Sequence, residues 1–438
     1  MNNWKTIRPI HAGLYARASY PENKPFYVTN AFLLDEPVSG EAVKLAWDKT
    51  IQVYPFMSRA VVKRDKVYYL AENPLDFVIR ETDEIIAPAS PEGNYHAVTI
   101  CYSGRRLAFY YDHVMSDGTA FRMILDTFFY YYYCTVDHVS YPVPDGVRTL
   151  EDGVAPDIEE DAFLIAAAQD KEKKEQEKKD PENKEQTAGQ NSHRTSVAEH
   201  FCYPEAPKLQ VPGEVSLSDC GHYIIRVPSE EFMAYAHSVG GSPSSVLAQL
   251  VCQSLQRMNP GNMLPFGTVT PVSVRKRMGN TGSLLNQVVH MFCRIDPKTL
   301  SDEDAVLFHQ NFRSRLKKAG SKEEIMRMSV RFNDTIEMYK QAIASDTLDQ
   351  VSPLQSRSAG VILLSYLGKL ADAPYGSRIK LECYRVMPDA GIRVYLYEIG
   401  DAFHFSFNIG TKTDRYARDM AQHMKELGMA HAQFESVD

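Results

Sequence analysis

The chain has 438 residues, 44% hydrophobic and 11% aromatic, with a formal charge of -8. A chain this long passes the size at which one core stops growing, and its apolar content excludes an intrinsically disordered protein, so two lobes are expected. The acidic balance excludes the electrostatic footprint of a nucleic-acid or anionic-membrane binder.

The start, "MNNWKTIRPIHAGLYARAS", lacks the apolar core of a secretory signal. Nowhere does an apolar run approach the roughly 20 residues that span a bilayer. Cys101, Cys134, Cys202, Cys220, Cys252, Cys293 and Cys383 form no CxxC pair and read as buried free thiols in a reducing compartment. A monomeric cytoplasmic protein is expected.

Along the first 150 residues, strand-like and helix-like segments alternate. "YVTNAFLLD" is strand-like; "VSGEAVKLAWDKTIQVYP" carries Val43, Ala46, Trp47 and Ile51 on one helical face, with Ser39 as N-cap and Pro55 as stop. Two hairpins follow, "SRAVVKRDKVYYLAE" turning at Arg64-Asp65 and "HAVTICYSGRRLAFYYD" turning at Ser103-Gly104. After His113 a helix runs from about Thr119 through the aromatic block "FFYYYY", which serves either as packing against a sheet or as a stacking platform.

Past residue 150 the composition turns to "EDGVAPDIEED" and then to the nearly pure charge of "DKEKKEQEKKDPENKEQTAGQNSH". Residues 151–200 therefore read as a charged linker, partly helical or mobile, that either fades into solvent or binds a partner. A second lobe, residues 201–438, opens with strand, helix, a Gly-Gly break and a helix capped by Ser242 ahead of Pro243. Strands in "FGTVTPVSVRKRMGNTGSLLNQVVHMFCRID", basic helical sequence, "GVILLSYLGKL", further strands to "FHFSFNIG" and a closing helix complete it. The fold class expected is α/β (α+β, with mixed sheets).

No GxSxG elbow, Walker A loop, GxGxxG or HExxH is present, and no His, Cys and carboxylate cluster has metal spacing, so no metal is expected. What remains is "HVMSDG", residues 113–118. At a strand end, a histidine can bond backbone through one ring nitrogen and aim the other at a substrate, from which it takes a proton during acyl transfer. Asp117 falls where the chain turns into a helix, so it acts as a brace rather than a proton relay, and Gly118 frees the backbone to turn. Alone the pattern is weak: with 13 histidines, a chance HxxxDG arises in roughly one of twenty such chains.

In context, "YYDHVMSDG" before a helix resembles the HHxxxDG acyltransferase superfamily of chloramphenicol acetyltransferase, nonribosomal-peptide condensation domains, plant BAHD acyltransferases and alcohol acetyltransferases. Supporting stretches are "VSGEAVKLAWDKTIQVYPFMSRAVV", "RVPSEEFMAYAHSVGGSPSSVLAQLVCQSLQR", "TPVSVRKRMG", "LLSYLGKL" and "HFSFNIGTKTDRYARDMAQHMKELG". The resemblance implies two chloramphenicol-acetyltransferase-like lobes with a tunnel between them, acyl donor and acceptor entering from opposite faces. It also implies His113 as general base and Asp117 paired with an arginine of the second lobe. By position that arginine is Arg275, unless Arg275 is one of a surface Arg-Lys-Arg cluster. Ser365 stands where some members place an oxyanion-stabilising hydroxyl, and is otherwise an ordinary strand serine.

Two departures matter. Asp112 stands in place of the first motif histidine, and "DAPYGSRI" replaces the plant DFGWG signature, which together point to the alcohol-acetyltransferase-like branch. The activity implied is transfer of an acyl group from acyl-CoA or a carrier-bound thioester, with no tightly bound cofactor, to a hydroxyl or amine of a small molecule. The alternative is a non-catalytic condensation-like protein that binds a carrier protein or small ligand. The basic stretch "NFRSRLKKAGSKEEIMRM" meets coenzyme A phosphates or an acidic carrier protein, or is a solvated helix face. His290 and His404, inside apolar strand runs, read as core or lining residues.

Overall fold

The computed structural model describes residues 6–7, 27–64, 67–179, 221–347, 362–370, 372–387, 391–410 and 413–437. Cys202, Cys220, Asp65 and the end of the charged stretch lie outside the described residues.

A five-stranded sheet, in the order β12-β2-β7-β6-β5, organises the first lobe. Its members are β2 (Tyr27–Leu34), β5 (Ile79–Glu81), β6 (Val98–Ser103), β7 (Arg106–Asp112) and β12 (Ile379–Val386). A small sheet joins β1 (Thr6–Ile7), β3 (Ala60–Arg64) and β4 (Val67–Ala71). Helix α1 (Gly40–Val53) begins where expected, Ser39 accepting from the Ala42 amide as N-cap. It packs beside α2 (Gly118–Val136) over the sheet, with Val43, Ala46 and Trp47 buried at helical spacing. The aromatic block is packing: Phe128 meets Phe109 edge-on at 4.9 Å and Tyr133 stacks on Tyr375 at 4.7 Å.

The second lobe is built on seven strands in the order β10-β9-β11-β13-β14-β8-β15. These are β8 (Gly221–Pro228), β9 (Phe266–Ser273), β10 (Val288–Ile295), β11 (Ile362–Lys369), β13 (Ile392–Ile399), β14 (Ala402–Ile409) and β15 (Gln433–Ser436). One face, carrying Ile225, Val289, Met291, Leu364, Val394 and Phe405, forms the second core with α5 (Pro243–Met258) and α9 (Arg415–Glu426). After α4 (Ser229–Ser238), helix α5 opens with the expected Ser242 cap, reciprocated by Ser245. The opposite face presents Ile224, Leu367, Tyr395 and Tyr397 to the first core, so the two lobes share one continuous apolar contact.

Two segments depart from the division at residues 150 and 201. Strand β12 belongs to the first sheet: Ile379, Leu381, Tyr384 and Val386 complete the first core, and the strand runs antiparallel to β2. The start of the charged stretch is built structure as well, with Ala155 and Ile158 in the first core and Phe163 in the second. From there α3 (Ala162–Lys179) packs along α8 (Lys322–Ala344).

Candidate active site

Strand β7 ends at Asp112, and a tight turn leads to α2. Asp112 builds that turn: its carboxylate accepts from the Val114 amide at 3.1 Å and its carbonyl accepts from the Met115 amide at 3.0 Å. The residue in place of the first motif histidine thus shapes the loop that presents His113. Val114, Met115 and Ser116 are buried beneath it, whereas His113 is half-buried.

His113 Nδ1 lies 3.0 Å from the carbonyl oxygen of Ser116. A carbonyl only accepts, so Nδ1 carries the proton and Nε2 carries the lone pair of the neutral ring. That is the tautomer a general base at this position needs.

Asp117 is the N-cap of α2, its Oδ1 accepting from the Ala120 amide at 2.9 Å. Oδ2 accepts from Arg275 Nη1 at 2.9 Å and from the Gln287 amide at 2.9 Å. Arg275 opens the one-turn helix α6 (Arg275–Met278) and is buried with Asp117, their side chains 4% and 5% exposed. Its other donors reach the carbonyls of Ser283 at 2.9 Å and Leu285 at 2.5 Å. All three guanidinium nitrogens and both carboxylate oxygens are engaged, the condition under which a buried ion pair holds. Lys276 and Arg277 are exposed, so the three basic residues do not form one surface cluster.

Gly118 has a different reason from the one expected. Its backbone is not in the left-handed region. A Cβ there would lie 2.7 Å from Leu367 Cδ2 on β11 and 2.9 Å from the Tyr384 hydroxyl on β12. The residue is small because two elements close on the start of α2.

Ser365 sits on β11, 7% exposed. Alternation along the strand puts it on the same face as Leu363, and Leu367, beyond the irregularity after Tyr366, packs in the same first core and closes on Gly118. The serine is therefore carried by the strand whose Leu367 closes on Gly118 at the start of α2. The basic stretch forms α7 (Ala305–Ala319) and the start of α8, and Arg313, Arg315, Lys317 and Lys318 point to solvent.

Sequence reasoning missed two residues. Gln287 acts through its backbone amide, and its buried side chain bonds the Glu160 carbonyl at 2.8 Å and the Ala162 amide at 3.2 Å, tying the loop before β10 to residues 160–162. His290, read from the sequence only as a core or lining residue, is an electrostatic neighbour of His113. Burial, with the charge of His113, pushes its pKa down to about 4. His309, by contrast, is structural: Ser245 Oγ and Gln249 Oε1 bracket its ring at 2.9 Å. Among the described residues no group of His, Cys and carboxylates could hold a metal ion, and no helix is long and apolar enough to cross a membrane.

No family model and no curated protein matches the sequence. Solved structures do match in fold. The TRI3 trichothecene 15-O-acetyltransferase from Fusarium sporotrichioides is 11% identical with a TM-score of 0.60, covering 97% of this chain and 95% of that one. The epimerization domain from the third module of tyrocidine synthetase B is 11% identical with a TM-score of 0.55, covering 97% of both chains. TRI101 of F. graminearum, solved with coenzyme A and T-2 mycotoxin, is 11% identical with a TM-score of 0.52, covering 97% of this chain and 98% of that one. The chain has the two-lobed fold of the condensation and acetyltransferase enzymes.

Proposed function

We propose that this protein is an acyltransferase that moves an acyl group from a thioester donor, acyl-CoA or a carrier-bound acyl chain, to a hydroxyl or amine of a small molecule. The observation that carries this reading is the anchored tautomer of His113, fixed by Ser116 at the end of β7 while Asp117 is pinned across the lobes by Arg275. In the reaction, His113 Nε2 takes the proton of the acceptor as its oxygen or nitrogen attacks the thioester carbonyl. The oxyanion that forms is stabilised by a donor on β11, for which Ser365 is the nominee, worth about 2.7–4 kcal/mol. As the carbonyl re-forms, the carbon–sulfur bond breaks and the leaving thiolate receives the proton from His113. No covalent enzyme intermediate is required. Donor and acceptor reach His113 from opposite ends of a passage between the lobes.

The test is mass spectrometry of products after incubation with a panel of acyl-CoAs and mixed alcohols and amines, with His113→Ala as control. Acylated product that depends on His113 is expected. Product formed equally by the variant refutes the base assignment, and no product from any pair refutes the transfer reading.

A further inference from the structure

The sheet of the second lobe has two unlike faces, and β10 shows the contrast. Val289, Met291 and Cys293 are 1%, 5% and 2% exposed within the second core. The alternate residues Val288, His290 and Phe292 keep accessible surface. His290 pairs with Pro271 on β9, whose neighbour two residues back, Val269, lies beside Leu363 of β11. His290 therefore shares the sheet face of Leu363 and Ser365, the face turned to the first lobe. Its strand starts from Gln287, whose amide is fixed to Asp117, and the His113 turn leads into the same aspartate from the other side. One carboxylate thus anchors both segments that carry the imidazoles.

His290 keeps accessible surface, yet protein surrounds it closely enough to strip its hydration and hold the ring neutral at physiological pH, with a pKa near 4. On the sheet face turned to the first lobe, a half-buried ring of this kind stands where the two lobes meet rather than on the outer surface. A neutral imidazole offers one donor and one acceptor and adds no charge that would oppose the imidazolium formed at His113.

Building on the transfer reading above, we infer that His290 binds the acceptor through a second polar group, so that the preferred acceptor is a polyfunctional alcohol or amine rather than a simple one. A buried hydrogen-bonding group rejects a ligand that leaves it unpaired, which makes the preference measurable.

The experiment uses the full chain with acetyl-CoA and paired acceptors: a vicinal diol against the mono-alcohol of the same carbon chain, and an amino alcohol against the corresponding amine. The ratio of kcat/KM within each pair is measured for wild type, His290→Leu and His290→Gln, with His290→Met replacing the leucine variant if that one does not fold. The wild type is expected to prefer the bifunctional acceptor at least tenfold. The apolar variant should bring the ratio to threefold or less by raising the KM of that acceptor alone, and glutamine should restore part of it. A preference that survives in the apolar variant, or its absence in the wild type, overturns the inference and leaves the transfer reading intact. No transfer by the wild type to any acceptor overturns both.

Discussion

Replacing Arg275 by methionine probes the brace of the motif with little change in side-chain volume. In the native protein Arg275 Nη1 meets Asp117 Oδ2 at 2.9 Å with both side chains almost wholly buried. The variant leaves that carboxylate buried with only the Ala120 and Gln287 amides, and removes the donors from the carbonyls of Ser283 and Leu285. Breaking one partner of a buried pair costs about 3–5 kcal/mol, because the remaining charge has lost both water and counter-ion. An internal control is Lys44–Asp48 on α1, also at about ion-pair distance but with side chains 68% and 50% exposed. Such a pair is worth about 0.2–1 kcal/mol, so Lys44→Met should be near neutral. Urea unfolding followed by the fluorescence of Trp47, wholly buried in the first core, reports both variants. The double variant Arg275→Met, Asp117→Leu should lose less than the sum of the singles. If Arg275→Met and Lys44→Met shift the midpoint equally, the brace is not a brace.

Three further outcomes follow from the geometry. Gly118→Ala forces a methyl against Leu367 and the Tyr384 hydroxyl, and should destabilise by about 1–3 kcal/mol with a fall in transfer rate, checked by unfolding and initial rates. A wild-type-like alanine variant would show that the lobes part easily there. Ser365→Ala should lower kcat by roughly 10²–10³ with the acceptor KM little changed; a change below threefold removes Ser365 from oxyanion duty. His309, pushed down to about 4 by burial and by Arg313, binds its proton more readily when unfolded. The stability that its neutral, buried form contributes is complete above pH 6.5 and is lost as the pH falls towards 4, on the order of 3 kcal/mol. Unfolding midpoints between pH 4 and 7 should therefore climb more steeply in the wild type than in His309→Gln.

Local signals were legible in the sequence. Ser39 and Ser242 read as N-caps because capping is decided within three residues of chain, and the Ser103-Gly104 hairpin because a turn is equally local. The arrangement of Asp117 and Arg275 followed from a family pattern rather than from the spacing of the two residues, which are 158 positions apart. What escaped was long-range or carried by groups without a residue signature. The Gln287 amide is a backbone donor that any residue could supply. Strand β12 reads like any alternating strand, and its choice of β2 over its chain neighbours is made by packing. His290 hid among valines, methionine and phenylalanine, where only the pleat tells which side faces a site. Gly118 was legible as necessary, but its reason lies in Leu367 and Tyr384, far along the chain.

The central claim is that His113 is the general base of acyl transfer. The most direct test is the steady-state kcat/KM of wild type and His113→Ala with the reactive donor and acceptor, both proteins first matched for folding by Trp47 fluorescence. A positioned base contributes roughly 10²–10⁴-fold, so the variant should fall by that factor. A His113→Ala enzyme within threefold of the wild type would contradict the account.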